Sequence, residues 1–216
     1  MPSNRTQASA PQFGREERLS FPMVVKEIAH LLQSRTPKTL GERGLRPAAV
    51  LVPIQQRTDS DYLILTQRAA RLNSHSGQVA FPGGMLDPRD AGPLAAALRE
   101  SQEEIGIDPG HVSVLGQLDQ VTAAQEYLVT PFVGLIPFPY KFQLNPAETA
   151  ALFSVPIPAL LGPGCFNMEP RFSAQRWNPI YHFHYQGWDI WGATAKIIKQ
   201  LLELAYGFKV EEDPGR

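Results

Sequence analysis

The chain has 216 residues, 43% of them hydrophobic and 19% charged, enough apolar matter for one globular domain with a sizeable core. Lys and Arg number 20 against 21 Asp and Glu, a formal net charge of −1, so no global charge draws the chain to nucleic acid or to an anionic membrane surface. The single cysteine, Cys165, excludes an internal disulfide and a cysteine zinc cluster and suits a reducing compartment, with the cytoplasm as the expected location.

Residues 1–18 read as a disordered tail ahead of a single domain over residues 19–216. The opening MPSNRTQASAPQFGR carries two arginines and no acids, but Glu16 and Glu17 follow and no apolar leader segment appears. Pro22, with Val24, Ile28, Leu31 and Leu32 at helical spacing, predicts an amphipathic helix ending near Arg35, and Thr36 to Arg46 reads as a polar linker. Strands are expected at Ala48 to Ile54, Tyr62 to Thr66, Gln78 to Phe81, Val112 to Leu118 and Leu128 to Ile136. Tyr127 to Tyr140 is the most apolar stretch, but it is short for a membrane span and holds three prolines, so it reads as a buried strand and its exit.

Phe81-Pro82-Gly83-Gly84 reads as a strand running into a tight glycine turn. Pro93 suits a first helical position, Leu94 to Ile105 are good helix formers, and Gly106 fits the residue just past a helix end. Beyond Pro137 the prolines at 139, 146, 156, 158 and 163 predict short strands and turns. Tyr181 to Tyr185 and Trp188 to Trp191 flank Gln186-Gly187 as a predicted hairpin, and Ala193 to Tyr206 closes the chain as a helix with Ile197, Leu201, Leu204 and Ala205 in one row. Strands mixed with three helices predict an α/β fold whose sheet is covered on both faces.

Glu100, Glu103 and Glu104 stand at i, i+3 and i+4, sharing one face of the internal helix. Two carboxylates about 6 Å apart repel by roughly 3 kcal/mol at an effective dielectric near 20. They also lie in the last turns, where the helix dipole favours cations. Either the face is simply solvated, or a hard divalent ion, Mg²⁺ or Mn²⁺, resolves the conflict. The glycines upstream, whose backbone can approach a ligand closely, favour a metal-assisted phosphate site, with Arg99 placed to orient a carboxylate.

The whole stretch resembles the signature of the Nudix hydrolases. Gly84 is followed six residues on by an acid, Asp90, and then by Arg99-Glu100-Ser101-Gln102-Glu103-Glu104-Ile105-Gly106-Ile107. Asp90 stands where the general signature has glutamate, eight residues rather than seven separate it from Arg99, and Ser101 replaces an aliphatic residue. The longer spacing and the upstream Ile64-Leu65-Thr66-Gln67-Arg68-Ala69 are similar to the coenzyme A pyrophosphatase branch, except that Asn73 occupies that branch's second arginine position, with Arg71 two residues away. "NPAETAALFSVP" and "WGATAKII" also resemble segments of that branch, so the resemblance runs from about Pro47 to Tyr206.

The resemblance implies the Nudix fold, an α/β/α sandwich with a mixed β-sheet. It also implies hydrolysis of a nucleoside diphosphate linked to another moiety, with coenzyme A or acyl-CoA yielding 4′-phosphopantetheine and adenosine 3′,5′-bisphosphate. Glu100, Glu103 and Glu104 would hold Mg²⁺ or Mn²⁺, with Glu103, Glu104 and Arg99 in the catalytic roles. Arg68, Gly83 and Gly84 would serve the substrate. The general base stays open between a metal-held carboxylate and a distant glutamate, Glu148 or Glu126. ADP-ribose, a dinucleotide or a nucleoside triphosphate is the alternative substrate, and a non-catalytic Nudix-fold nucleotide-binding module is the alternative of another class. The expected partner is a small nucleotide diphosphate, with no nucleic acid and no membrane, and a homodimer stays open. His182 and His184 read as a packed hairpin face, Trp188 and Trp191 as core residues in preference to a stacking surface for adenine, His75 as a loop residue near phosphate or a turn cap, and Cys165 as no nucleophile.

Overall fold

Ala48 to Ile54 form an almost unbroken apolar run, the pattern of a strand covered on both faces. In a computed structural model, which describes residues 21–41, 44–70, 77–124, 126–173 and 176–210, this run is the centre of β1 (Arg46–Gln56). β1 pairs in parallel with β7 (Tyr127–Ile136) from Arg46↔Tyr127 to Gln55↔Ile136. All other pairs of the eight-stranded sheet are antiparallel. β2 (Asp61–Arg68) and β4 (Gly83–Met85) pair with β1, β3 (Val79–Ala80) and β8 (Thr149–Pro156) with β2, and β5 (Ser113–Gln117) and β6 (Val121–Ala123) with β7. One edge of β1 is therefore shared: Ile54 to Gln56 face β2, whereas Ala48 to Val50 face β4. The sheet divides between the two.

Alternate residues of the strands feed two cores, as period-two side-chain direction requires. Ala49 packs with Ala96, Ala97 and Phe132, and Leu51 with Ile64, Ile105 and Ile136, beneath helix α2 (Pro93–Ile105). Ala48, Val52, Ile54, Leu63 and Leu65 join Ile28, Leu32, Ile198 and Leu202 beneath α1 (Phe21–Ser34) and α3 (Gly192–Tyr206). The result is an α/β/α sandwich around a mixed sheet, as expected. A second sheet in the order β13 (Trp188–Trp191), β12 (Ile180–Tyr185), β9 (Phe166–Glu169) adds Phe183, Met168 and Ile190 to the α1/α3 core. β10 (Phe172–Ser173) and β11 (Arg176–Trp177) form a short separate pair.

The predicted hairpin is present, with Gln186 (φ 46°) and Gly187 (φ 85°) both left-handed, the requirement of its two-residue turn. Helix α2 begins at Pro93 and ends on Gly106 at φ 72°, ψ 27°. The carbonyls that a helix end leaves over are taken in part by neighbours: Gln143 N–H donates to Ile105 O at 3.0 Å and Asn145 N–H to Glu104 O at 2.9 Å. Two expectations change. Gly83-Gly84 is not a turn, because Pro82 makes the bend and the glycines run extended beside β1 as β4. The proline-rich region holds a full strand, β8, since its prolines fall before Thr149 or at the strand end. No helix among the described residues is long and apolar enough to cross a membrane. Residues 1–18, Arg71, Asn73 and His75 lie outside the described residues.

Candidate active site

The division of the sheet is where α2 meets β4, and the two glycines there leave little room for a side chain. A Cβ on Gly83 would lie 2.3 Å from Ala49 O, and one on Gly84 would lie 2.5 Å from Cδ of Glu100. The missing side chains let the Glu100 carboxylate rest against the β4 backbone. One turn further along α2, the buried Glu104 accepts a hydrogen bond from Gly83 N–H at 3.2 Å, and Arg68 Nη1 at the end of β2 stands 3.8 Å from its other oxygen.

Glu148 arrives by a different route. Ala69 N–H donates to Glu148 O at 2.8 Å next to a bulge at Gln67/Arg68 in the β2–β8 pairing, and Asn145 Nδ2 donates to Glu148 Oε1 at 3.0 Å. The segment that caps α2 thus also delivers Glu148. Carboxylate oxygens of Glu100, Glu104 and Glu148 lie within 4.8 Å of one another. Burial, with Glu100 and Glu148 adding repulsion, pushes Glu104 up to about 7 against the pull of Gly83 N–H and Arg68. Burial also raises Glu100 above the usual carboxylate range, opposed by Arg99.

Arg99 ties the outer part of the site together. Its Nε and Nη2 grip both oxygens of Asp90 at 2.9 and 3.0 Å, its Nη1 donates to Glu100 at 2.8 Å and to Glu103 at 3.0 Å, and Nη2 reaches Met85 O at 3.3 Å. The bidentate grip lowers the Asp90 pKa. Asp90 is shorter than the glutamate of the general signature, yet the loop folds it onto Arg99 through Asp90 N–H to Asp87 O at 2.9 Å. Nothing in the local sequence pairs Asp90 with Arg99; the partnership depends on that loop.

Of the residues predicted for the site, Glu100 and Glu104 meet Glu148, and Arg68, Gly83, Gly84 and Arg99 line the same cavity of about 780 Å³. Glu103 stands apart, its side chain 52% exposed and paired with Arg99. Glu126 is exposed and pairs with Arg46 at 3.2 Å, outside the carboxylate group. Trp188 stacks on Phe153 at 4.4 Å as a core residue, whereas Trp191 is exposed on the cavity wall, contrary to the core role expected for it. Cys165 is buried, burial raises its pKa, and its Sγ donates to His184 O at 2.9 Å, an inert arrangement.

Three hard oxygen donors this close together, one of them buried, are a set that could hold a divalent cation. The NUDIX domain model matches residues 44–173. The chain belongs to the Nudix family. It is 44% identical over 167 residues to a protein of Photorhabdus laumondii named "Uncharacterized Nudix hydrolase NudL", covering 77% of this chain and 88% of that one. A NudL protein of Citrobacter koseri is 40% identical over 180 residues, 83% and 93% of the two chains. Among solved structures, the Nudix hydrolase RenU of M. smegmatis matches at 22% identity and a TM-score of 0.46, over 55% of this chain and 75% of that one. As a Nudix hydrolase the protein is a pyrophosphatase, and enzymes of this family generally use divalent metal ions.

Proposed function

We propose that this Nudix enzyme cleaves coenzyme A or acyl-CoA into 4′-phosphopantetheine and adenosine 3′,5′-bisphosphate, with Mg²⁺ or Mn²⁺ held by Glu100, Glu104 and Glu148. The observation that carries the reading is the group of three carboxylates within 4.8 Å of one another on the wall of a large cavity. Bound there, a cation would neutralise the diphosphate and acidify a water. Arg99 holds the Glu100 carboxylate in place from outside and anchors the loop through Asp90. Gly83 and Gly84 keep the approach clear of side chains. Glu148, steadied by Asn145, is the base that takes the proton of the attacking water as one phosphorus–oxygen bond forms and the anhydride bond breaks. Glu103 can join the cation only by leaving Arg99, so it serves the site through that arginine.

The coenzyme A assignment is supported by the GGMLDPRD spacing and by the apolar end of the cavity, where Val50, Val129, Ala123 and Ile197 offer room for an uncharged arm. A second reading has its own support. The described arginines of the cavity, Arg68 and Arg99, both face carboxylates, which favours a substrate without an additional phosphate, such as ADP-ribose. Cytoplasmic location goes with the first reading, as does one domain over residues 19–216.

Purified protein with Mg²⁺ and, in parallel, coenzyme A, ADP-ribose and NADH separates these. The expected result is metal-dependent release of 4′-phosphopantetheine. Preference for ADP-ribose overturns the coenzyme A assignment, and no product from any diphosphate overturns the enzymatic reading.

A further inference from the structure

The second sheet carries a feature that hydrolysis of the diphosphate does not use. Trp191 lies on β13, the edge strand of the order β13-β12-β9, directly across from His182. Their rings run nearly parallel, 16° apart with centroids 6.3 Å apart, and His184 continues the row at 6.0 Å and 20° from His182. His182 is itself held by Asp189, whose carboxylate lies 3.0 Å from Nδ1. One side of the indole is thus braced by a fixed ring, while among the described residues no further strand of this sheet lies beyond β13.

That indole is 41% exposed and lines the same cavity as the three carboxylates. Met85, 45% exposed, lines it too. Trp188, three residues earlier, shows what a tryptophan of this hairpin does when it serves packing: it stacks on Phe153 with planes 5° apart. The chain just after Trp191 is anchored, since the buried Thr194 hydroxyl donates to Val79 O at 3.1 Å. A pre-set indole with an open side costs little to order on binding, and aromatic faces take nucleobases of any sequence by stacking.

We propose that Trp191 is the platform on which the nucleobase of the substrate stacks, with Met85 as the apolar counterpart on the cavity wall. The proposal rests on the diphosphate-hydrolase reading of the same cavity and adds the position of the substrate's nucleoside half. It makes Trp191 a specificity-determining residue for nucleoside-bearing diphosphates over diphosphates that lack a base.

Two product-like fragments with the same phosphate test it: AMP, which has a base, and ribose 5-phosphate, which has none. Inhibition constants for both are measured on Mg²⁺-dependent hydrolysis by the wild type, Trp191→Phe and Trp191→Leu, with melting temperatures to show that each variant folds. The wild type should prefer AMP by about tenfold or more, Trp191→Phe should keep most of that preference, and Trp191→Leu should abolish it while leaving ribose 5-phosphate inhibition unchanged. In substrate kinetics the loss in Trp191→Leu should appear in KM, with kcat within about twofold. An AMP preference that survives in Trp191→Leu, or is absent from the wild type, overturns the stacking role while hydrolysis persists. An effect of Trp191→Leu confined to acyl-chain length would assign the platform to the apolar arm and overturn it as well. Absence of hydrolysis in the wild type instead refutes the enzymatic reading, a separate outcome.

Discussion

Replacing Gly84 by alanine separates the geometry of the carboxylates from the stability of the fold. The added Cβ would lie 2.5 Å from Cδ and 2.6 Å from Oε2 of Glu100. Carbon atoms settle at about 3.5–4 Å, so the carboxylate must retreat by roughly 1 Å. The obstacle is the far end of a flexible side chain and Gly84 has no left-handed φ, so the backbone can stay where it is. The melting temperature should shift by less than about 3 °C, equivalent to about 1 kcal/mol in a chain of this size. The retreat carries Glu100 away from Glu104 and Glu148 and disturbs its 2.8 Å bond from Arg99. Misplacement on this scale costs on the order of 10²-fold in rate. Gly83→Ala is the opposite case: φ is 152°, and the new Cβ meets Ala49 O at 2.3 Å and Val50 Cα at 2.6 Å, backbone atoms of β1 that cannot move alone. Strain and overpacking should cost about 2–5 kcal/mol, roughly 5–15 °C in melting temperature. Mg²⁺-dependent hydrolysis and thermal melting of both variants provide the check. A Gly84→Ala enzyme with wild-type rate, or one that melts as low as Gly83→Ala, would refute the placement of Glu100.

Asp61 is fully buried and burial raises its pKa to about 6, against the pull of Gln56. A carboxyl whose folded pKa is raised stabilises below its unfolded value and loses that contribution as pH rises through the folded one, so stability should fall by about 2 kcal/mol between pH 4 and 7. Asp61→Asn should flatten that slope in denaturant titrations, and an unchanged slope would exclude Asp61 as its source. Glu148→Gln should cut the hydrolytic rate by on the order of 10²-fold while Glu126→Gln changes it less than about twofold, since only the first lies with Glu100 and Glu104. Equal losses in steady-state rates would remove Glu148 from the site. Arg99→Lys keeps the charge but cannot grip both Asp90 oxygens while reaching Glu100, so it should lower activity by about tenfold or more, and full activity would contradict the anchoring role. Glu103→Gln breaks only a half-exposed pair and should shift the melting temperature by about 2 °C or less in metal-free buffer; a large drop would show that Glu103 is structural.

The features of the fold that were legible in the sequence are those set by neighbours in the chain. Pro93 and Gly106 bracket α2, Gln186-Gly187 turn the hairpin, and the apolar run of β1 announces a strand buried on both faces. β4 was not legible, because three residues carry no periodicity and two glycines normally signal a turn; its strand character comes from pairing with Ala48 to Val50 across the sheet. Within the candidate site, the helical spacing of Glu100 and Glu104 was enough to put them on one face. Helical spacing also suggested Glu103, but Arg99 at i−4 holds it on the solvent side. Glu148 joins the group only through the α2 cap at Gln143 and Asn145 and the bulged β2–β8 register, both long-range. Trp188 and Trp191 stand three residues apart on one strand and so point to opposite faces; which face is packed depends on Phe153 of β8, distant in sequence, which takes Trp188 and leaves Trp191 exposed.

Whether Glu100, Glu104 and Glu148 together hold a divalent ion is decided by titrating metal-free protein with Mn²⁺ near pH 7.5, read by calorimetry or by the free-ion EPR signal and compared with Glu104→Gln. The wild type should bind Mn²⁺ saturably and Glu104→Gln at least about tenfold more weakly, its fold retained because a neutral side chain suits a site that already pushes Glu104 up to about 7. Equal Mn²⁺ affinity in the two proteins would contradict binding of the ion by these glutamates.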